Sequence, residues 1–264
     1  GGSVSGEGQN SDAALAVVAE IEALGGEAMA HPANVAVMEQ VEDMVSQAMT
    51  AWGRIDILVN NAGILRDKSF IKMDITDFKL VLDVHLMGSV NCTKAVWEIM
   101  KNQEYGRIVM TSSSSGLYGN FGQSNYGAAK LGVVGFMNTL AQEGAKYNIR
   151  VNALAPTAGT RMTEGLMSEQ AFNLLTPETV TPAVVAEDAP TNTILAAGAG
   201  AYAVSKIVET ESVWLPEEEQ TPEGIAAHWD QIANGQETQL KAGFEQTFRM
   251  VGKAAEGLGI KLEG

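Results

Sequence analysis

Residues 109–130 read VMTSSSSGLYGNFGQSNYGAAK. An apolar, strand-like run ends in four serines, and a turn rich in glycine and asparagine leads into the helix-forming NYGAAK. Tyr126 and Lys130 stand four apart, so a helix places them on one face. Ser113 precedes Tyr126 by thirteen residues, at the C-terminal end of the strand, where open α/β sheets bind ligands. A phenol, with an ordinary pKa of about 10, is a poor base at neutral pH. An adjacent ammonium favours the phenolate, as does positive charge on an oxidised nicotinamide. In such a site Ser113 would hold a substrate oxygen while Tyr126 moves a proton and a cofactor moves a hydride. A Tyr–Lys pair alone usually decorates a surface. The serine spacing, the preceding strand and the small residues between them favour chemistry.

The flanking sequence supplies the frame for that site. IDILVN (55–60), GRIVMTS (106–112) and NIRVNALAP (148–156) are unbroken apolar runs of strand length. Between them, helical spacing runs from Thr76 to Lys101 and over 123–147. Upstream, residues 11–24 predict a helix closed by Gly25-Gly26, EAMAHP (27–32) a short strand, and residues 36–52 a second helix ending in AWG. KIVETESVWL (206–215) reads as the last strand. Apolar strands alternating with helices imply an α/β fold, a doubly wound parallel sheet with helices on both faces. From Pro216 the chain turns polar and helical, in TPEGIAAHWDQI and QTFRMVGKAAEGL. The expected division is therefore 1–215 for the sheet domain and 216–264 for a helical C-terminal extension.

Composition narrows the function classes. The 264 residues are 45% hydrophobic and 19% charged, as in a globular domain with ample core. A net charge of −15 argues against nucleic-acid binding, which concentrates Lys and Arg. Cys92 is the only cysteine, so no disulfide forms within the chain. Three scattered histidines, His31, His85 and His228, supply no zinc ligand set, and no metal site is expected. No long apolar run suggests a membrane span, no signal peptide is seen, and the terminal KLEG is not a peroxisomal SKL-type address. A cytoplasmic, bacterial-type location is the expectation.

Ser113, Tyr126 and Lys130, with Asn60-Asn61-Ala62-Gly63 after the IDILV strand, resemble the short-chain dehydrogenase/reductase family. Within it, NNAGILRDKSF, the 105–132 stretch and LAPTAGTRMT are similar to the hydroxyacyl-CoA dehydrogenase branch of multifunctional enzymes and their bacterial relatives. The resemblance implies a Rossmann-like fold. It makes Tyr126 the proton donor and acceptor, has Lys130 lower its pKa and bind the nicotinamide ribose, and has Ser113 orient the substrate oxygen. His85, in VHLMG, matches a position that many members fill with asparagine; it would serve the proton relay or simply pack. Asn60, Asn61, Ala62 and Gly63 would line the cofactor, with a purely structural hydrogen bond as the other reading of Asn60. Pro156, Ala158 and Thr160 would meet the nicotinamide end. The implied cofactor is NAD, with NADP left open. The implied substrate is a small molecule, an acyl-CoA thioester, and the implied assembly a homodimer or homotetramer.

Two departures stand beside this likeness. The family opens with a strand, a glycine loop, a helix and a second strand, and none of these is in the chain. GGSVSGEGQN (1–10) has no strand before it, so its glycines match the loop after the family's second strand and not a pyrophosphate cradle. The fold is thus expected to lack its first βαβ unit, as a truncated portion of a longer product. In strand order 3-2-1-4-5-6 that would leave a gap of roughly 14 Å between EAMAHP and IDILV, at about 4.8 Å per strand. Secondly, PANV carries Ala33 and Asn34 where relatives place an acidic residue near the adenine, leaving Asn34 as the expected contact. The leading expectation is NAD(P)-dependent oxidation of a 3-hydroxyacyl-CoA or similar secondary alcohol. The competing one is an inactive truncated or partner subunit.

Overall fold

A computed structural model describes residue 5, residues 12–160, 163, 165, 168–184 and 190–262. The glycines at positions 1, 2, 6 and 8 lie outside the described residues. The chain forms two compact units, Gly1–Ser205 and Lys206–Gly264.

In the first unit the three apolar runs form β1 (Ile57–Asn60), β2 (Gly106–Thr111) and β3 (Ile149–Pro156). They pair in parallel, with Val59 opposite Val109 and Val109 opposite Asn152, so all three strands end at the same edge of the sheet. β4 (Ile194–Gly198) continues the parallel order and β5 (Ala201–Ser205) turns back antiparallel, giving the order β1-β2-β3-β4-β5. Ala199 and Gly200 both take positive φ between β4 and β5, the backbone that a two-residue hairpin turn requires.

Before β1 come α1 (Asp12–Ala23) and α2 (Met38–Trp52), the latter closed by Gly53 in the left-handed region. The predicted long helix is two helices, α3 (Ile75–Leu82) and α4 (Gly88–Gln103), joined by a π-helical turn, Asp83–Met87, that contains His85. Asp74 begins α3 by accepting from the Thr76 N–H at 2.8 Å. After β2 come α5 (Ser114–Tyr118) and α6 (Ser124–Gly144), and after β3 the short α7 (Glu169–Leu174) and α8 (Thr181–Val184). On one face of the sheet, Ile108, Met110, Ile149 and Val151 pack with Val96 and Met100 of α4 and Val133, Val134 and Met137 of α6. On the other, Val109, Leu154 and Leu195 pack with Val180 and α8. Helices therefore cover both faces of a mostly parallel sheet, the expected α/β class.

Two expected strands do not form. EAMAHP has no sheet partner among the described residues and runs as irregular chain. A strand without a ladder leaves its backbone groups to solvent, so its β propensity has nothing to stabilise. KIVETESVWL makes only an isolated bridge, Glu209 with Thr238, and belongs to the second unit. The strands that do follow β3 come from TILAAGAGAYAVS, whose short alanine-rich runs carry weak periodicity.

The second unit contains α9 (Pro222–Ala227), capped by Thr221, then α10 (Trp229–Ala233) and α11 (Gly243–Leu258). No helix among the described residues is long and apolar enough to cross a membrane. No group of three or more potential metal ligands occurs among them.

Candidate active site

Ser113, Tyr126 and Lys130 converge where β2 ends and α6 begins. Ser113 is extended, at φ −166° and ψ 153°, and starts α5 by accepting from the Ser115 N–H at 3.2 Å. Gly116 lets this turn lie against α6: a Cβ there would sit 2.8 Å from the Lys130 Cβ and 2.9 Å from backbone atoms of Lys130 and Leu131. Ser112 ties the same two elements, donating its hydroxyl to the Lys130 carbonyl at 2.8 Å.

Lys130 is 4% exposed. Its Nζ donates to the Thr111 carbonyl at 2.6 Å and stands 5.4 Å from the centre of the Tyr126 ring. Burial lowers its pKa to about 7, since a buried ammonium loses its hydration. Burial also pushes the Tyr126 phenol up. A hydrogen bond with Ser113 pulls it back toward ionisation, and the Asp67 carboxylate pushes it up again. Burial is the largest of these influences on the phenol. Burial disfavours charge on both partners, and the ammonium is directed to a backbone carbonyl.

His85 is 3% exposed and meets Tyr126 edge-on, with ring centres 5.1 Å apart at 88°. Its Nε2 lies 2.8 Å from the Ile64 carbonyl and 3.0 Å from the Ile64 N–H, while its buried Nδ1 has no partner. Burial and the nearby Lys130 charge lower its pKa to about 4, so the ring is neutral at pH 7. Gly63 makes room for it: a Cβ there would stand 2.4 Å from His85 Cε1. These contacts are those of a ring packed beside the phenol. It holds the turn after β1 against the tyrosine ring.

Asn60 is buried and donates to Thr93 Oγ1 at 3.1 Å and toward Met110 Sδ at 3.3 Å, contacts that fit a structural role. Asn61 Oδ1 accepts from the Thr111 hydroxyl at 3.3 Å, and Asn61, Ala62 and Gly63 are exposed just beyond the end of β1. Pro156 ends β3; beyond it Ala158 and Thr160 are bound into a turn by the Thr163 hydroxyl. The residues after β1, β2 and β3 therefore share one end of the sheet, the place where ligands bind in open α/β folds. Asn34 stands apart. Its Oδ1 accepts from the Ala36 N–H at 3.1 Å in the turn before α2, and no hydrogen bond among the described residues links it to Tyr126.

The sequence reading missed Gln123 and Asp67. Gln123 accepts from the Ser115 hydroxyl at 2.7 Å and donates to Asp67 at 2.7 Å. The signal was a long polar side chain placed just before α6 among small residues.

Nicotinamide chemistry suits part of this donor set. A buried ammonium, a phenol and a hydroxyl converge at the sheet edge, but no strand and glycine loop precede β1 among the described residues.

The family model for short chain dehydrogenases matches residues 1–171. Peroxisomal multifunctional enzyme type 2 of Mus musculus is 45% identical over 240 residues, covering 89% of this chain and 32% of that protein. The chain thus spans about a third of the length of that curated relative. The 3-oxoacyl-[acyl-carrier-protein] reductase of Synechocystis sp. is 49% identical over 162 residues, 61% of this chain and 66% of that one. Among solved structures, full-length peroxisomal multifunctional enzyme type 2 from Drosophila melanogaster superposes with a TM-score of 0.79 at 36% identity, covering 92% of this chain and 44% of that one. With these relatives, a matching fold and a Ser–Tyr–Lys cluster at the sheet edge, the chain belongs to the short chain dehydrogenase family of NAD(P)-dependent oxidoreductases.

Proposed function

We propose that the chain interconverts the hydroxyl and ketone forms of a 3-hydroxyacyl thioester, with coenzyme A as the thiol carrier. The observation that carries this reading is the convergence of Ser113, Tyr126 and Lys130 at the end of β2. In the oxidation direction the Ser113 hydroxyl holds the substrate oxygen, and the Tyr126 phenolate takes the proton from the substrate hydroxyl. Lys130, anchored on the Thr111 carbonyl, keeps further N–H groups to offer a nicotinamide ribose and the phenolate. A bound nicotinamide would supply the acceptor for the hydride of the carbinol carbon. In reduction the proton runs the other way, from the Tyr126 phenol to the oxygen that becomes the hydroxyl.

The acyl thioester part of the proposal draws on the relatives, one of them named as a reductase of 3-oxoacyl groups on a carrier protein. The test is turnover of a 3-hydroxyacyl-CoA with NAD or NADP, followed by the absorbance of the reduced nicotinamide, beside a simple secondary alcohol. The expected result is thioester turnover well above that of the alcohol. No absorbance change with any thioester and either cofactor would overturn it.

A further inference from the structure

We propose that Gln123 is a positioning residue: its amide ties the serine turn to Asp67 and so sets where Ser113 stands against Tyr126. This rests on the reading of Ser113 and Tyr126 given above. Gln123 occupies the residue before α6, yet it makes no side-chain cap on that helix. Its amide is used across the site instead. Oε1 accepts from the buried Ser115 hydroxyl at 2.7 Å, and Nε2 donates to Asp67 Oδ2 at 2.7 Å. The Ser115 N–H in turn donates to Ser113 Oγ at 3.2 Å. Asp67, Gln123, Ser115 and Ser113 form one chain of hydrogen bonds ending at the hydroxyl that faces Tyr126. A second amide, Asn120 Nδ2, lies 3.4 Å from Gln123 Oε1 and fixes its orientation.

The loop that carries Asp67 is held independently of Gln123. The Lys68 N–H donates to the Gly122 carbonyl at 2.9 Å, and the fully buried Asn125 donates to the Arg66 carbonyl at 3.0 Å. Removing the Gln123 amide therefore frees the serine turn without detaching the loop. Asp67 acts in two ways: as the anchor of the amide, and as a negative charge that raises the Tyr126 pKa. The other groups facing the phenol are Lys130 on its own helix, neutral His85 on the π-turn and Ser113 on the serine turn. Arg66, on the same loop as Asp67, is paired with Asp77 at 3.2 Å.

Four variants separate these parts. Gln123→Ala is expected to lower kcat by about tenfold with KM little changed, because misplacing a group that acts only in the transition state costs turnover. Asp67→Asn keeps an oxygen for the Gln123 amide but loses the charge. It is expected to shift the rise of kcat/KM for the oxidation, which follows formation of the Tyr126 phenolate, to lower pH. Asp67→Ala should combine both effects. The Tyr126 titration, read as ultraviolet phenolate absorbance relative to Tyr126→Phe, should move down in both Asp67 variants and needs no turnover. An unchanged kcat in Gln123→Ala, or an unmoved Tyr126 titration in Asp67→Asn, overturns the inference. Retained activity in Tyr126→Phe would instead overturn the dehydrogenase reading, and the phenolate titration would still decide the role of Asp67.

Discussion

Helix α6 buries Val133, Val134, Met137 and Ala141 against the sheet, whereas α1, richer in apolar residues for its length, buries none. Leu15 and Val17 of α1 are 53% and 52% exposed; Met137 is 1% exposed. The strands divide in the same way. Ile149 and Val151 of β3 are closed off from water, while Ile57 and Val59 of the edge strand β1 are exposed. Apolar spacing gives a helix its face, but only a partner across from that face gives it a fixed place. Tyr126 and Lys130 ride on the helix that has such a partner. Their positions are consequences of core packing.

The largest effect that would sharpen this contrast is in the core. Met137→Ala on α6 should cost about 2–5 kcal/mol in chemical denaturation, the range for emptying a tightly packed site. A loss as small as that of a surface change would break the contrast. Gly63→Ala comes next. The new Cβ would meet His85 at 2.4 Å, so the turn or the ring must shift. Such overpacking costs about 1–3 kcal/mol, and denaturation melts should show it with Tyr126 fluorescence or activity altered in parallel.

Lys130 gives a smaller, pH-dependent effect. Its folded pKa, about 7, lies below the ordinary lysine value because of burial. Above the folded value the unfolded chain binds the extra proton, so stability rises with pH from near neutrality to the ordinary lysine pKa. Below it both states hold the proton, and the full cost of burying the ammonium remains. The slope should reach at most about 1.4 kcal/mol per pH unit and should vanish in Lys130→Met, measured by denaturation at stepped pH. Leu15→Ala, on exposed α1, should change stability by no more than about 0.5 kcal/mol.

The same contrast explains what the sequence made legible. The strands IDILVN, GRIVMTS and NIRVNALAP were readable because a central parallel strand is apolar on both faces. Ser113, Tyr126 and Lys130 were readable because spacing alone puts them together once the strand and helix exist. EAMAHP failed as a strand because a strand needs a neighbour, which local pattern does not report. The π-turn at His85 was invisible because its surroundings are tertiary: at Gly88 a Cβ would stand 2.6 Å from Val35, which is far away in sequence. β4 and β5 were missed because their alanine-rich runs carry little periodicity. Gln123 was missed because its partners, Ser115 and Asp67, come from α5 and from the loop after β1.

The claim on which the rest depends is that Ser113 and Tyr126 act on one reacting oxygen. The most direct measurement is the turnover of a 3-hydroxyacyl-CoA by Ser113→Ala, Tyr126→Phe and the double variant. Each single change should lower kcat/KM by at least about 100-fold, and the double variant should be hardly worse than the worse single one, as for groups that work as a unit. Independent, multiplying losses, or a Tyr126→Phe protein as active as wild type, would contradict it.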